Sequence, residues 1–561
     1  MAGSGDWRRW RELALVVFGV AAATVLLTHP LARHMASTGR VDNADARFLI
    51  WNVAWVARTL AIDPWHVLDA NIFYPHRGTL AYSETNLGAG LLAMPVYWAT
   101  RNPYAAYNFV TLASFALSGT ATYYLVRHLV EDRRAAAVSA ACFAFCPYVF
   151  GRLPHIHLLM TAGLPASLLA LHRLADRPGA RAGVVLGVAM AAQSLFCGYY
   201  GVFGVLIVGY MVLAMAALGW WRRRDYWQAV AVAAAVAIAL AVPLFLPYLR
   251  LQRGAGFARS VDEARLWAAD WRSYLASSAT AHAWMLGLIG RWVDILFPGF
   301  VATLAGVAGA FAGWRRGGRL REVAVLYSGL VTLAAWASLG PDAGLYEVLH
   351  ATVPAFSFLR TPSRFGVLVS LGLSVLAGAA IAAYLRGRDN GLQPTGPRSR
   401  SGLMTGRNLA AAVLVLAVLA ESRVPLGFAP APPVEPAYRM LATLPPGPVL
   451  DIPVYSYPFA HERTRYMLGS TTHWMPLVVG YSSYTPPDFY PRVEVLAGFP
   501  TREALALMER EGIRYVAIHM HLFSDDMRRG VAERLQAFRT SLARRYADDR
   551  VWLYEVVSFP R

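Results

Sequence analysis

The chain has 561 residues, 56% of them hydrophobic and 15% charged, more apolar material than a soluble core of this length needs. Its formal charge of +18 rests on arginine alone, lysine being absent, and in a polytopic chain such an excess marks cytoplasmic loops rather than a nucleic-acid surface. The three cysteines, Cys142, Cys146 and Cys197, lie in apolar stretches, which argues against a disulfide framework and against a CxxC metal site.

Arg8, Arg9 and Arg11 precede an apolar run from Leu13 to Leu31, close to the ~20 residues that cross ~30 Å of hydrocarbon. No small-x-small cleavage site follows, so a retained first helix with a cytoplasmic N-terminus is expected. Leu87 to Ala99 is too short to cross upright and reads as re-entrant or interfacial. Tyr104 to Val126 then returns the arginine-rich RHLVEDRR to the cytoplasm. The same parity test gives crossings at Ala135–Gly151 and Ile156–Leu171, and a pair within Val184–Leu218 broken at CGYYG, Cys197 to Gly201. Further crossings fall at Ala229–Leu249, Pro298–Gly313, Val323–Leu339, Ser363–Leu385 and Leu409–Leu419. The expected fold class is therefore an all-α polytopic membrane protein of about eleven transmembrane helices. The loop RGRDNGLQPTGPRSRSG lies inside, and everything after about Val424 lies outside.

The C-terminal stretch changes character: strand-like Pro448–Val454, helical Thr501–Gly512, strand-like Arg514–Met520, a polar helix from Asp525 to about Tyr546, and strand-like Val551–Val557. That alternation predicts a small extracytoplasmic α/β domain. The domain division is thus 1–424 for the membrane part, with a first outer loop at 31–103, and 425–561 for the outer domain.

The first outer loop carries Asp42 and Asp45, followed by IWNVAWVARTL, whose Trp51 and Trp55 stand four apart on an amphipathic stretch suited to the interface. From spacing alone the two carboxylates are solvated loop residues, or Asp45 caps a helix starting near Ala46. His76, Arg77 and Glu84 stand further along the same loop. His155 and His157, with Arg152, fall on another outer turn; an i, i+2 histidine pair is a weak metal signal, and interface residues are the simpler reading. Tyr199 and Tyr200 mark the helix break and suit an aromatic belt as readily as a sugar platform. Arg360 and Arg364 flank a helix start, where amides and a guanidinium fork both favour phosphate, although Arg364 can also snorkel from the helix mouth. His519 and His521 alternate onto one face of an expected strand, and the outer domain carries no recognisable catalytic motif.

A retained first helix, an aspartate-bearing first outer loop, many helices and an outer C-terminal domain together resemble the GT-C class of polytopic glycosyltransferases. The stretches DANIFYPHRGTLAYSETNLGAGLLAMPVYW, NPYAAYNF, HIHLL, CGYYGVFG, LRTPSRFGVL and STTHWMPLVVGYSSYTPPDF are similar to those of a family of bacterial multi-pass proteins grouped with these enzymes. The resemblance implies a bacterial inner-membrane transferase that takes a sugar from a polyprenyl-phosphate donor to a glycan, lipid or protein acceptor outside, with no nucleic-acid partner. It places a general base on Asp42 or Asp45, deprotonating an acceptor hydroxyl. Arg360 and Arg364 would stabilise the departing lipid phosphate, and His76, Arg77, Glu84, His155, His157, Tyr199 and Tyr200 would contact substrate. No cofactor is required by the sequence, and the need for a divalent metal stays open. A lipid-linked saccharide transporter or flippase, or an envelope scaffold, are the alternatives; the chain shows one broken segment and no repeated half of the transporter kind.

Overall fold

A computed structural model of the protein describes residues 3–391 and 397–560; part of the arginine-bearing loop expected in the cytoplasm thus lies outside the described residues. The chain is mostly helical. Among the described residues seven helices are long and apolar enough to cross a membrane: Trp7–Leu27, Pro103–Val130, Ile156–Asp176, Gly198–Ala217, Arg224–Ala255, Gly318–Ser338 and Pro362–Arg386. Large side chains on these segments point outward, among them Phe18, Leu213 and Ile238, as lipid-facing surfaces require. The other four expected crossings fall on Arg133–Ala144, Ala180–Phe196, Phe300–Arg316 and Pro397–Glu421, which length and composition alone do not mark as spans.

Chain contacts divide the molecule into two units. The first comprises residues 1–33, 110–246 and 255–427. Its helices pack through small residues, because without a water-driven force between apolar helices in lipid, close backbone approach and dispersion must do the work. A Cβ added at Gly183 or Gly187 would meet the carbonyls of Ala229 and Ala233 at 2.5 and 2.6 Å, and one at Gly309 would lie 1.8 Å from the carbonyl oxygen of Leu376. The expected break in Val184–Leu218 falls at Cys197, between Ala180–Phe196 and Gly198–Ala217.

The second unit comprises residues 34–109, 247–254 and 428–561, so the 425–561 stretch is compact together with the first long loop and a short piece of the middle of the chain. Strands β1 (Thr38–Gly39) and β2 (Ala429–Pro430) pair antiparallel. A four-stranded sheet is built from β3 (Val449–Ile452), β4 (Tyr515–Ile518), β5 (Leu542–Ala547) and β6 (Trp552–Val556), in the order β3-β4-β6-β5. The β3–β4 pair is parallel and the others antiparallel. The polar helix expected from Asp525 to about Tyr546 stops at Ala537, and Leu542–Ala547 is an edge strand. Edge strands carry exposed charges such as Arg544 and Arg545, which read as a solvated helix face in composition.

Candidate functional site

Within the second unit, Asp42 and Asp45 lie at the start of the Ala44–Ile62 helix. The cap is Asn43, not Asp45: Asn43 Oδ1 accepts from the Ala46 amide at 3.0 Å, leaving Asp45 in the first turn, where a carboxylate favours the helix dipole. Asp42 is exposed and pairs with Arg40 at 3.3 Å. Arg47, almost fully buried, donates to the Val41 carbonyl at 2.8 Å and to Thr464 Oγ1 at 3.0 Å, and so ties the acidic turn to the C-terminal segment. Instead of laying one face on an interface, this helix is buried over most of its length, Trp51 included. Trp51 Nε1 donates to Asn71 Oδ1 at 3.0 Å, and Asn71 Nδ2 to Ser470 Oγ at 3.1 Å and the Met475 carbonyl at 3.0 Å.

Two of the sequence stretches that carry the resemblance run against each other here. The Tyr74 amide donates to the Leu477 carbonyl at 2.9 Å, and the Leu477 amide to the Asn71 carbonyl at 2.9 Å. Tyr82 and Tyr484 pack edge to face at 5.0 Å. His76 Nε2 meets Asp488 at 3.1 Å, Arg77 is exposed, and the Glu84 carbonyl accepts from the amide side chain of Asn52 at 3.4 Å. The predicted loop residues are thus held on an ordered scaffold. A second polar knot sits at the carboxyl ends of β3 and β4. Asp451 Oδ1 accepts from Tyr438 at 2.7 Å and lies 3.0 Å from His519 Nε2, with Tyr466 stacked on the imidazole. His519 lies just past β4 and His521 in a following turn, so the two do not share a strand face. Strand patterning cannot reveal this knot because its four members come from four separate stretches of the chain.

The first unit brings together the remaining predicted residues. Tyr199 OH accepts from the Arg360 amide at 3.0 Å, and the Arg364 guanidinium lies 4.2 Å above the Tyr199 ring, close enough for a cation–π contact. Tyr200 is buried, not part of a surface belt; its hydroxyl donates to the Leu158 carbonyl at 3.2 Å and lies 3.2 Å from Tyr148 OH, which in turn donates to the Arg364 carbonyl at 3.2 Å. The His155 and His157 rings are 6.1 Å apart. Arg364 lies in the short turn Pro362–Phe365 and Arg360 just before it, ahead of the Gly366–Gly391 helix.

Three charged partners were not singled out from the sequence. Asp294 Oδ2 accepts from Arg152 Nη2 at 2.8 Å and from Ser363 Oγ at 2.6 Å, beside Arg364. Burial would raise the Asp294 carboxyl, but the Arg152 charge and these hydrogen bonds outweigh it and hold the group below the usual aspartate range. Glu263 accepts from Arg259 at 3.0 Å and from Arg360 at 3.1 Å. The cluster therefore counts four guanidinium groups (Arg152, Arg259, Arg360, Arg364) against two carboxylates. Arg364 Nε and His157 Nδ1 are buried without a hydrogen-bond partner, so donor capacity is left over beside an excess of positive charge, which is what an anion needs. Among the described residues no group of three or more His, Cys, Asp or Glu side chains could hold a metal ion.

The fold is GT-C-like and the chain is a multi-pass membrane protein. The arabinofuranosyltransferase AftD of mycobacteria superposes over 98% of this chain and 40% of its own length, with a TM-score of 0.59 and 16% identity; this chain thus spans well under half of that protein. Lower similarity links it to the oligosaccharyltransferase AglB of Archaeoglobus fulgidus (TM-score 0.47, 14% identity, 92% of this chain and 70% of that one) and to ArnT of Cupriavidus metallidurans (TM-score 0.45, 15% identity, 99% and 98%). No family model and no curated protein matches the sequence.

Proposed function

We propose that the protein transfers a sugar from a polyprenyl-phosphate donor to a glycan, lipid or protein acceptor on the outer side of a bacterial inner membrane. The observation that carries this reading is the cationic cluster around Arg364, on a fold shared with an arabinofuranosyltransferase. Phosphate leaving from an anomeric carbon is already a good leaving group; it needs charge and donors, and the spare Arg364 Nε with the Tyr199-held turn supplies them. The acceptor hydroxyl needs a base, and Asp42 or Asp45 takes that role, a carboxylate at an ordered helix start being competent for it. In this reading the eleven crossings put the N-terminus in the cytoplasm, and the 31–103 loop and the 425–561 domain outside. His76, Arg77 and Glu84 contact the acceptor or headgroup.

The test is incubation of the purified protein with a panel of labelled polyprenyl-phosphate sugars, with product read by chromatography. Asp42→Asn or Asp45→Asn, whichever removes the base, lowers transfer by about 10²-fold or more, and Arg364→Gln lowers it by about 10²-fold. Product yield indifferent to both aspartate substitutions, in folded protein, removes the enzyme reading.

A further inference from the structure

A groove of about 820 Å³ in the first unit shares no lining residue with the Arg364 cluster. It is walled by the first helix, by the Pro103–Val130 helix, and by the helices Gly163–Asp176 and Ala180–Phe196. Its volume is within the range of sites that take small ligands, roughly 300–1,000 Å³. Its walls are apolar and open to the outside of the bundle: Leu117 and Val185 are 43% and 51% exposed. The wall from Gly163 to Arg173 covers ten helical steps, about 15 Å at 1.5 Å each, half of a ~30 Å hydrocarbon core and so the depth of one leaflet.

The two ends differ in chemistry. At one end Gln193 Nε2 donates to the Met160 carbonyl at 2.9 Å, both residues lining the groove. At the other stand Arg9, Trp10 and Arg173, the basic and interfacial residues that mark headgroup depth. Four other arginines of the first unit are neutralised, Arg127 and Arg133 by Glu12, Arg134 by Asp132, and Arg319 by Asp176. Among the described residues neither Arg9 nor Arg173 has such a partner. Two unpaired guanidinium groups at the mouth of a leaflet-deep apolar groove complement one kind of molecule, an anionic head on a hydrocarbon chain. We propose that this groove binds an anionic phospholipid of the bilayer, phosphate between Arg9 and Arg173 and acyl chain along Leu117, Val185 and Ala189. The site is separate from sugar transfer and stands whether or not that reading holds.

The experiment uses the full chain in a zwitterionic detergent. Dioleoyl phosphatidylglycerol and dioleoyl phosphatidylcholine are added in turn, and lipid retention is read by native mass spectrometry together with the thermal midpoint. Phosphatidylglycerol is retained and raises the midpoint more than phosphatidylcholine does. Arg9→Gln/Arg173→Gln weakens its retention by about 30-fold, the ratio that two charges at about 1 kcal/mol each give at 1.4 kcal/mol per tenfold. The exposed pair Arg315→Gln/Arg316→Gln, outside the groove, leaves retention unchanged. Ala189→Phe, which fills the groove and keeps both charges, also lowers it. Equal retention of the two lipids overturns the proposal, as does retention unmoved by Arg9→Gln/Arg173→Gln or equally lost in the Arg315/Arg316 variant. Displacement of bound phosphatidylglycerol by an equimolar polyprenyl phosphate likewise overturns it, since the groove would then belong to the carrier lipid.

Discussion

Removing the Asp294 carboxylate tests the electrostatic logic of the Arg364 cluster directly. The side chains of Arg152 and Asp294 are only 12% and 15% exposed, so Asp294→Ala leaves a guanidinium largely withdrawn from water with no counter-charge, and frees Ser363 Oγ as well. Breaking one partner of such a pair costs about 3–5 kcal/mol. Asp294→Asn keeps one oxygen acceptor, for either Ser363 Oγ or the Ile295 amide, and should cost less, about 1–3 kcal/mol. Chemical denaturation in detergent measures both, and the double-mutant cycle with Arg152→Ala isolates the pair, with an expected coupling above about 1 kcal/mol. The sign with pH follows from the lowered carboxyl. Its stabilisation is complete above the ordinary aspartate value of 3.8 and is lost as the pH falls through the depressed folded-state value. A cost for Asp294→Ala below about 1 kcal/mol, additive with Arg152→Ala within about 0.5 kcal/mol, would refute the reasoning.

Burial pushes the His473 imidazole down from 6.5 to about 4, against the pull of Asp451. Because the unfolded chain then binds the proton first, stability falls as the pH drops from 6.5 towards 4, by at most about 3 kcal/mol, and His473→Gln should flatten that slope in thermal unfolding. Gly309→Ala puts a methyl group where the Leu376 carbonyl oxygen lies, and should cost about 1–3 kcal/mol with a lowered melting temperature; an unchanged one would show that the two helices are free to separate. Asn43→Ala removes the cap of the Ala44–Ile62 helix and should cost about 1 kcal/mol by denaturant midpoint, whereas Asp45→Ala should leave that cap intact.

Hydrophobic length and arginine placement make most of the helices legible in the sequence. Even the interruption at Cys197 shows there, because glycines and paired tyrosines punctuate an otherwise uniform run. The burial of the Ala44–Ile62 helix is not legible: its tryptophans satisfy an interfacial pattern equally well, and what decides is Asn71, Ser470 and Met475 arriving from far along the chain. Asn43 and Asp45 are both competent caps by residue type, and the helix starts two residues earlier than the spacing suggests. The Asp294 and Glu263 carboxylates escape a sequence reading for the same reason. They sit in unremarkable loop and short-helix text, and only a contact 142 residues away for Asp294, or 97 for Glu263, gives them a role. The Arg360–Arg364 turn was visible because helix-start chemistry is local.

The bond from Asn71 to Ser470 spans 399 residues. A ribosome adding about 5–20 residues per second therefore emits the acceptor roughly 20–80 s after the donor. Throughout that interval the Asn71 side-chain amide lacks its Ser470 and Met475 partners and is left to water. Premature termination before Ser470 would make this permanent, so shortened translation products should be recognised by quality-control proteases at the 34–109 segment, not at the severed end.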